Sequence, residues 1–382
     1  MKNTCLDILE VTDQSTRRIP VEISRKPYEI IIGKGILHRI GEELNKAGIK
    51  KGVKILVVTN SDVAEPYSDL FIKSLKESGY EPTLLIIKAG ESQKNPSSIS
   101  LIHDAAFAAK LERGSLMIAF GGGVVGDMTG FAAATWLRGV SVVQVPTTLL
   151  AMVDASIGGK TGVNHKGGKN LIGAFHQPKL VLIDPLTLKT LPVREFRAGM
   201  AEVIKYAVIG DTKLFSLLEK HNDLSDLIEL DYETLEEIIS RSCSSKANIV
   251  ALDEHESGIR AILNYGHTLG HAIETLCGYG TWLHGEAVSI GMVAIGELAI
   301  QLGSWSEDDA NRQKALLKKA GLPTTWPKLN IEDVCQSLLG DKKVKEGKIC
   351  FIIPKKIGVV GIKDDVNISS IKECLSRISH LD

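Results

Sequence analysis

The chain has no uninterrupted apolar run near the ~18 residues that a membrane-crossing helix needs, so no transmembrane helix is expected. It has no basic-then-apolar leader, and Asp7, Glu10 and Asp13 argue against a transit peptide. No Cys-x-x-Cys pair occurs. The six cysteines (Cys5, Cys243, Cys277, Cys335, Cys350 and Cys374) are scattered, which fits reduced thiols in a cytoplasmic protein better than a disulfide frame. Neither sign of charge is in excess: the net charge is −1 and Lys/Arg form no block, so nothing suggests nucleic acid. An anionic ligand must therefore be met by local basic residues. Internal repeats and low-complexity tracts are also missing. What remains is an ordinary globular composition, 382 residues with 44% hydrophobic content, enough for about two domains.

The first half alternates strands and helices. Residues 1–15 read as a loose leader, and Arg18 to Ile32 as an edge hairpin around Lys26-Pro27. Lys54–Thr59 is a continuous β-branched run of the kind buried parallel strands show. A helix is expected from about Tyr67 to Ser78, a strand over Thr83–Lys88, a helix over Ser97–Lys110 and a strand over Ser115–Phe120. This order predicts a doubly wound α/β domain. The polar loop 89–94 follows a strand, where open α/β sheets place ligands. Gly121-Gly-Gly-Val-Val-Gly126 follows another strand and fits G-x-G-x-x-G, a loop that brings backbone close to a pyrophosphate at a helix N-terminus. The usual acidic residue about twenty positions on is missing, so a merely tight turn stays open. Asp127 is a candidate for part of the missing work.

Pro146-Thr-Thr148 closes a further strand, and a polar, glycine-rich passage from Asp154 to Asn170 carries Lys160, Lys169 and Asn170. This is either a solvated surface loop or a binder of phosphate and hydroxyl groups. After strand Leu180–Ile183 the patterns become helical, with a boundary near 190. Glu202 and Lys205 are three apart on one helix face, as an ion pair or as a buried carboxylate awaiting a cation. A helix over Ser240–Leu252 carries Lys246 and leads to the acidic turn 253–256, read as solvated. His267 and His271, four apart, share a helix face, and His284 follows a glycine-broken turn just before a helix expected to begin near Glu286. Imidazoles aimed at one place suit a metal, although a His pair at this spacing also occurs on surface or core helices. A short strand-like run, Ile349–Ile353, and a terminal helix complete the chain.

The motifs Gly-Gly-Gly-Val-Val-Gly-Asp127, Pro-Thr-Thr148, Val153 to Asn164, Gly-Lys-Asn170, Ala-Glu-Val-Ile-Lys205, Arg260 to Thr268 and His284-Gly-Glu-Ala-Val together resemble the 3-dehydroquinate synthase family. The resemblance runs from the Thr59-Asn60 strand end to Lys343. It implies a Rossmann-like NAD-binding α/β domain over 1–190 and a mainly helical metal- and substrate-binding domain over 191–382. By motif it implies Glu202, His267 and His284 as ligands of one divalent metal, Zn or Co, which leaves His271 for substrate or proton transfer. It assigns Asp154, Lys160, Asn170, Lys205, Lys246, Arg260 and Asn264 to the substrate pocket. Arg138 is placed near the phosphate, across a homodimer interface, and Lys342 or Lys343 on the phosphate as well. For NAD it implies Asn60, Asp62, Glu91, Lys94, Gly122, Gly123, Asp127, Thr147, Thr148, Lys160, Lys169 and Thr190.

The reaction implied is conversion of 3-deoxy-D-arabino-heptulosonate 7-phosphate to 3-dehydroquinate and phosphate, in the shikimate pathway. The family oxidises a ring hydroxyl transiently, eliminates phosphate, returns the hydride, and closes the carbocycle by an aldol step. Departures from the family pattern are small: Lys166 where proline is common, and Tyr265 where phenylalanine is usual. Rival readings are a sister sugar phosphate cyclase, a metal-dependent alcohol dehydrogenase of related fold, and a catalytically dead nucleotide-binding or interaction protein.

Overall fold

A computed structural model describes residues 16–24, 26–278, 280–339 and 349–379. The leader 1–15 and the candidates Lys342 and Lys343 lie outside the described residues. The chain divides into two compact units, one of residues 1–191 with 246–255, the other of 192–245 with 256–382.

Among its described residues the first unit has nine strands: β1 (Arg17–Val21), β2 (Tyr28–Ile32), β3 (Lys54–Asn60), β4 (Glu81–Ile87), β5 (Leu116–Gly121), β6 (Ser141–Pro146), β7 (Lys160–His165), β8 (Gly168–Phe175) and β9 (Leu180–Ile183). Seven form one sheet in the order β1-β2-β9-β6-β5-β3-β4, parallel throughout except for β1, which pairs antiparallel with β2. Helices α1 (Ile40–Lys46), α2 (Ser61–Glu77), α3 (Pro96–Ala108) and α4 (Gly123–Thr135) cover it. The inner strands read as unbroken apolar runs because both faces are buried. Ile118 and Phe120 of β5 pack on the side of α1 and α2, with Phe120 stacked on Phe71 at 4.3 Å. Met117 and Ala119 point the other way, towards α3 and α4.

Three expectations are revised here. Helix α2 starts at Ser61, six residues before the expected start, because Asn60 caps it by accepting from the Val63 N–H, and Pro66 is tolerated inside. The passage 158–170 is not an irregular loop. Lys160–His165 and Gly168–Phe175 form a two-stranded antiparallel ribbon, with register Lys160↔Phe175 to His165↔Gly168. The acidic turn 253–256 is not simply solvated. Asp253 is buried, and Glu254 accepts from Gln177 Nε2 at 3.1 Å.

The second unit contains α5 (Val193–Ile209), α6 (Thr212–Glu219), most of α7 (Tyr232–Leu252), α8 (His267–Leu276), α9 (His284–Gln301), α10 (Glu307–Lys319) and α11 (Ile331–Leu339). A hairpin of β10 (Phe351–Lys356) and β11 (Val359–Lys363) and helix α12 (Ile368–Ile378) follow. Helix α5 is buried on nearly every side from Phe196 to Ile209, as expected of a helix with little polar face. It packs on α9, which packs in turn on α8. The last two turns of α7, from Lys246, belong to the first unit.

Candidate metal centre and nucleotide loop

The second unit brings three donors together. Glu202 stands in the middle of α5 with no exposed surface, His267 opens α8, and His284 opens α9. Both imidazole Nε2 atoms lie 3.5 Å from the same oxygen, Glu202 Oε1. A tetrahedral ion with bonds near 2.1 Å holds its donors roughly 3.4 Å apart, so this N₂O set fits zinc or a similar divalent ion. The second polar atom of each of the three side chains is already engaged. Glu202 Oε2 is paired with the buried Lys205 ammonium, so the ion pair read as one alternative in the sequence is present, on a carboxylate that is itself fully buried. His267 Nδ1 is 3.0 Å from the Tyr265 carbonyl oxygen; a carbonyl only accepts, so Nδ1 carries the hydrogen and Nε2 presents its lone pair. His284 Nδ1 faces Glu274 Oε2 at 3.4 Å. Burial works to lower the His284 pKa, but the Glu202 and Glu274 carboxylates outweigh it and raise the imidazole to about 10.

Close backbone approach makes this convergence possible. A β-carbon on Gly285 would sit 1.9 Å from the Ala198 carbonyl oxygen, so the start of α9 rests directly on the α5 backbone. The same end is fixed by Glu286, whose Oε2 accepts from the Leu283 N–H at 2.8 Å. Arg194 in turn holds both oxygens of Glu286, at 2.7 and 2.8 Å. His271 lies on the same α8 face as His267, its ring centre 6.1 Å from that of His284. Arg260 is buried and Asn264 half-buried on the 3-10 turn Ile259–Asn264, and Asn264 Nδ2 donates to Glu256 Oε1 at 3.1 Å.

In the first unit several of the residues implied for NAD lie at the carboxyl ends of the parallel strands. The chain leaves β3 for β4 on one side, and β5 pairs on the other, so the switch point lies between β3 and β5. Asn60 ends β3 and the glycine loop follows β5. Gly126 lets α4 approach β6, where an added β-carbon would stand 2.9 Å from Gln144 Oε1. The first turn of α4 has no side-chain cap, as its N-cap residue is Gly122. Lys94 is the hub of this end. Its Nζ donates to Asp127 Oδ2 at 2.5 Å and to Asn170 Oδ1 at 2.6 Å. Burial alone would lower the Lys94 pKa, but the Asp127 and Glu91 carboxylates raise it, so the ammonium stays charged. Asn170 takes the left-handed conformation, φ 54°, and its N–H donates to Asn164 Oδ1. Asn164 also donates to Glu91 at 2.7 Å. Lys246 Nζ donates to the carbonyl and to Oδ1 of Asp154 at 2.6 and 2.8 Å.

Two family models match this chain in succession: 3-dehydroquinate synthase N-terminal over residues 84–198 and 3-dehydroquinate synthase C-terminal over 199–344. A 3-dehydroquinate synthase from Prochlorococcus marinus strain MIT 9313 is 68% identical over 95% of this chain and 98% of its own length. The chain belongs to the 3-dehydroquinate synthase family. It shares its fold with solved cyclases: a 2-epi-5-epi-valiolone synthase from Streptomyces hygroscopicus subsp. jinggangensis, with NAD+ and Zn2+ bound, superposes with TM-score 0.86. That pair is 29% identical over 94% of this chain and 99% of the other. A 2-deoxy-scyllo-inosose synthase complexed with carbaglucose-6-phosphate, NAD+ and Co2+ gives TM-score 0.84 at 25% identity, over 95% of this chain and 100% of the other.

The remaining family-motif candidates sit as follows. Gly122 caps α4, Gly123 begins it, Thr147 is buried with its N–H on the Gly121 carbonyl, and Thr148 Oγ1 accepts from Ala151. Asp62 and Lys160 are exposed, Lys169 is half-buried, and Thr190 Oγ1 lies 3.0 Å from the Tyr67 hydroxyl. Arg138 is exposed on a left-handed turn, φ 67°. Two acidic residues escaped the sequence reading. Glu274 is buried behind His284, and Glu256 holds Asn264 from a left-handed φ of 57°, costly for a non-glycine residue. Spacing could have found the first, since Glu274 is seven residues, two helical turns, beyond His267.

Proposed function

We propose that this chain is a 3-dehydroquinate synthase that converts 3-deoxy-D-arabino-heptulosonate 7-phosphate to 3-dehydroquinate and phosphate, a carbon–oxygen lyase of the shikimate pathway. It uses NAD and one divalent metal, zinc or cobalt, and acts as a cytoplasmic homodimer. The observation that carries the reading is the Glu202, His267 and His284 trio in a chain of this family. Among the described residues no helix is long and apolar enough to cross a membrane.

When bound, NAD supplies a reversible hydride acceptor and the metal a Lewis acid that acidifies a hydroxyl and polarises a carbonyl. The residues supply position and charge. Glu202, His267 and His284 hold the metal, and Lys205 pairs with Glu202 from behind. Lys94, tied to Asp127 and Asn170, shapes the nucleotide-facing end of the sheet with Asn60, Asp62, Glu91, Gly122, Gly123, Thr147, Thr148, Lys169 and Thr190. Arg260, Lys246 and Lys160, with Arg138 and Lys342 or Lys343, meet the anionic groups of the substrate; a guanidinium stays charged at every working pH. His271 serves proton transfer, while Asn264 and Asp154 orient hydroxyls or their partners.

A sister cyclase is the second reading, favoured by the fold shared with the valiolone and inosose synthases. The test is a single incubation with catalytic NAD, Zn²⁺ or Co²⁺ and the heptulosonate phosphate, following phosphate, 3-dehydroquinate and NADH together. Equal phosphate and dehydroquinate with no net NADH is expected. Phosphate from sedoheptulose 7-phosphate but not from this substrate would assign the chain to a sister activity. Net NADH without phosphate would mean a dehydrogenase.

A further inference from the structure

We infer that Glu274 is a positioning residue for the metal: it fixes the tautomer and orientation of His284 and strengthens that imidazole as a ligand. The inference rests on the metal reading above and deepens it. Glu274 lies on α8, seven residues after His267 and three after His271, so all three project from one helix face. Its side chain is 4% exposed. A carboxylate so buried needs a partner, and His284 Nδ1 at 3.4 Å provides one.

The geometry divides the two nitrogens of His284 between two carboxylates. Nδ1 faces Glu274, and Nε2 faces Glu202 at 3.5 Å. Neutral imidazole has one N–H. A carboxylate accepts it on the Nδ1 side, so the lone pair is left on Nε2, where His267 Nε2 and Glu202 Oε1 also converge. His267 obtains the same result from the Tyr265 carbonyl, a neutral acceptor. The two imidazoles are therefore held differently: a full negative charge stands behind His284 and only a carbonyl dipole behind His267. The Glu274 side chain also limits rotation of the ring. His284 needs this more than His267, because its side chain is 31% exposed against 11%.

A second arrangement uses the same atoms. His271, Glu274 and His284 also offer ligand atoms within 4.8 Å of one another, so Glu274 could bind a second cation directly. Positioning is favoured because Glu274 already faces the ring nitrogen of a ligand whose other nitrogen serves the first site.

The test is zinc binding by the full-length, metal-stripped protein against a chromophoric chelator, with the thermal midpoint of the metal-free form measured alongside. Glu274→Ala is expected to weaken zinc by about 10–100-fold, and Glu274→Gln, which keeps an acceptor and loses the charge, by less. Both should bind one equivalent, with a metal-free midpoint close to that of the parent. Cobalt-substituted protein should show a shifted visible absorption band in both variants. Zinc affinity within twofold of the parent in both variants would overturn the inference. So would two equivalents bound by the parent and one by the variants, which would make Glu274 a ligand. If Glu274→Ala does not fold, the Gln variant alone decides. If the parent itself takes up no zinc, the metal reading fails, whereas tight parent binding with indifferent variants sinks only the role of Glu274.

Discussion

Replacing Gly285 with alanine sets two effects of opposite sign against each other. Gly285 is the second residue of α9 and does not have a positive φ, so its backbone places no demand for glycine. On helix propensity alone alanine would stabilise by up to about 1 kcal/mol. The added methyl, however, would stand 1.9 Å from the Ala198 carbonyl oxygen, and backbone cannot swing aside like a side chain. Reaching even a 3.0 Å contact requires the start of α9 to withdraw by about 1 Å, and overpacking of this kind costs about 1–3 kcal/mol. Withdrawal also carries His284 away from Glu202, now 3.5 Å apart across the α9–α5 contact. Metal sites tolerate about 0.5 Å of misplacement, so zinc affinity should fall by at least tenfold. The assay is the thermal midpoint of metal-free Gly285→Ala together with zinc competition. A lower midpoint and weaker zinc are expected. A raised midpoint with unchanged zinc affinity would refute the close-approach argument, because propensity would then have won.

Three further outcomes follow from buried charges. Glu202→Ala should lose its zinc and also be destabilised by about 3–5 kcal/mol, because the buried Lys205 ammonium loses its carboxylate counter-charge. Adding Lys205→Met should restore most of the stability and none of the metal; unchanged zinc stoichiometry in Glu202→Ala would remove Glu202 from the ligand set. Lys94→Met breaks the links to Asp127 and Asn170, and NAD affinity measured by calorimetry should drop by tenfold or more, with an unchanged Kd as the contrary result. Asp184 accepts N–H bonds from Gly35, Leu37 and Leu186, yet burial raises its carboxyl to about 6 from 3.8. The folded state thus holds this proton more tightly than the unfolded one. Its stabilising contribution is present below about pH 4 and is lost as pH rises through 6. Relative to the parent, Asp184→Asn should gain about 2 kcal/mol in stability between pH 4 and 7, as read from denaturant unfolding at each pH; a difference that does not change with pH would contradict this.

The sheet was legible because its chemistry is local and repetitive. Continuous apolar runs such as Ile55–Val58 are what doubly buried parallel strands require, and β9 fell on the expected residues. The β7–β8 ribbon was not, because its glycines and polar residues imitate a loop. Its pairing depends on which residues lie opposite, as Gly162 does to Gly173, and that is a non-local fact. At the metal centre the histidine spacing announced shared faces. The early start of α9 and the Gly285 contact were invisible, since nothing in a single glycine says which backbone will come against it. Glu274 and Glu256 were passed over for a related reason: an acidic residue near a helix end looks solvated until its neighbours are known.

Each donor of the trio is held by a group of different kind, and this difference sets how the centre should fail. Glu202 is held by a cation, His267 by a backbone carbonyl and His284 by a carboxylate. The carbonyl is part of the turn leading into α8 and cannot be removed by substitution, so the orientation of His267 is secured by the fold itself. Lys205 and Glu274 are side chains, and both can be changed. Loss of Lys205 removes the buried cation beside Glu202, so a buried carboxylate loses its counter-charge. Loss of Glu274 leaves the trio intact but frees one ring and lowers its basicity. The first change should therefore move metal binding and folding together, the second metal binding alone. That separation follows from where the charges are buried, and it is independent of which substrate the enzyme turns over.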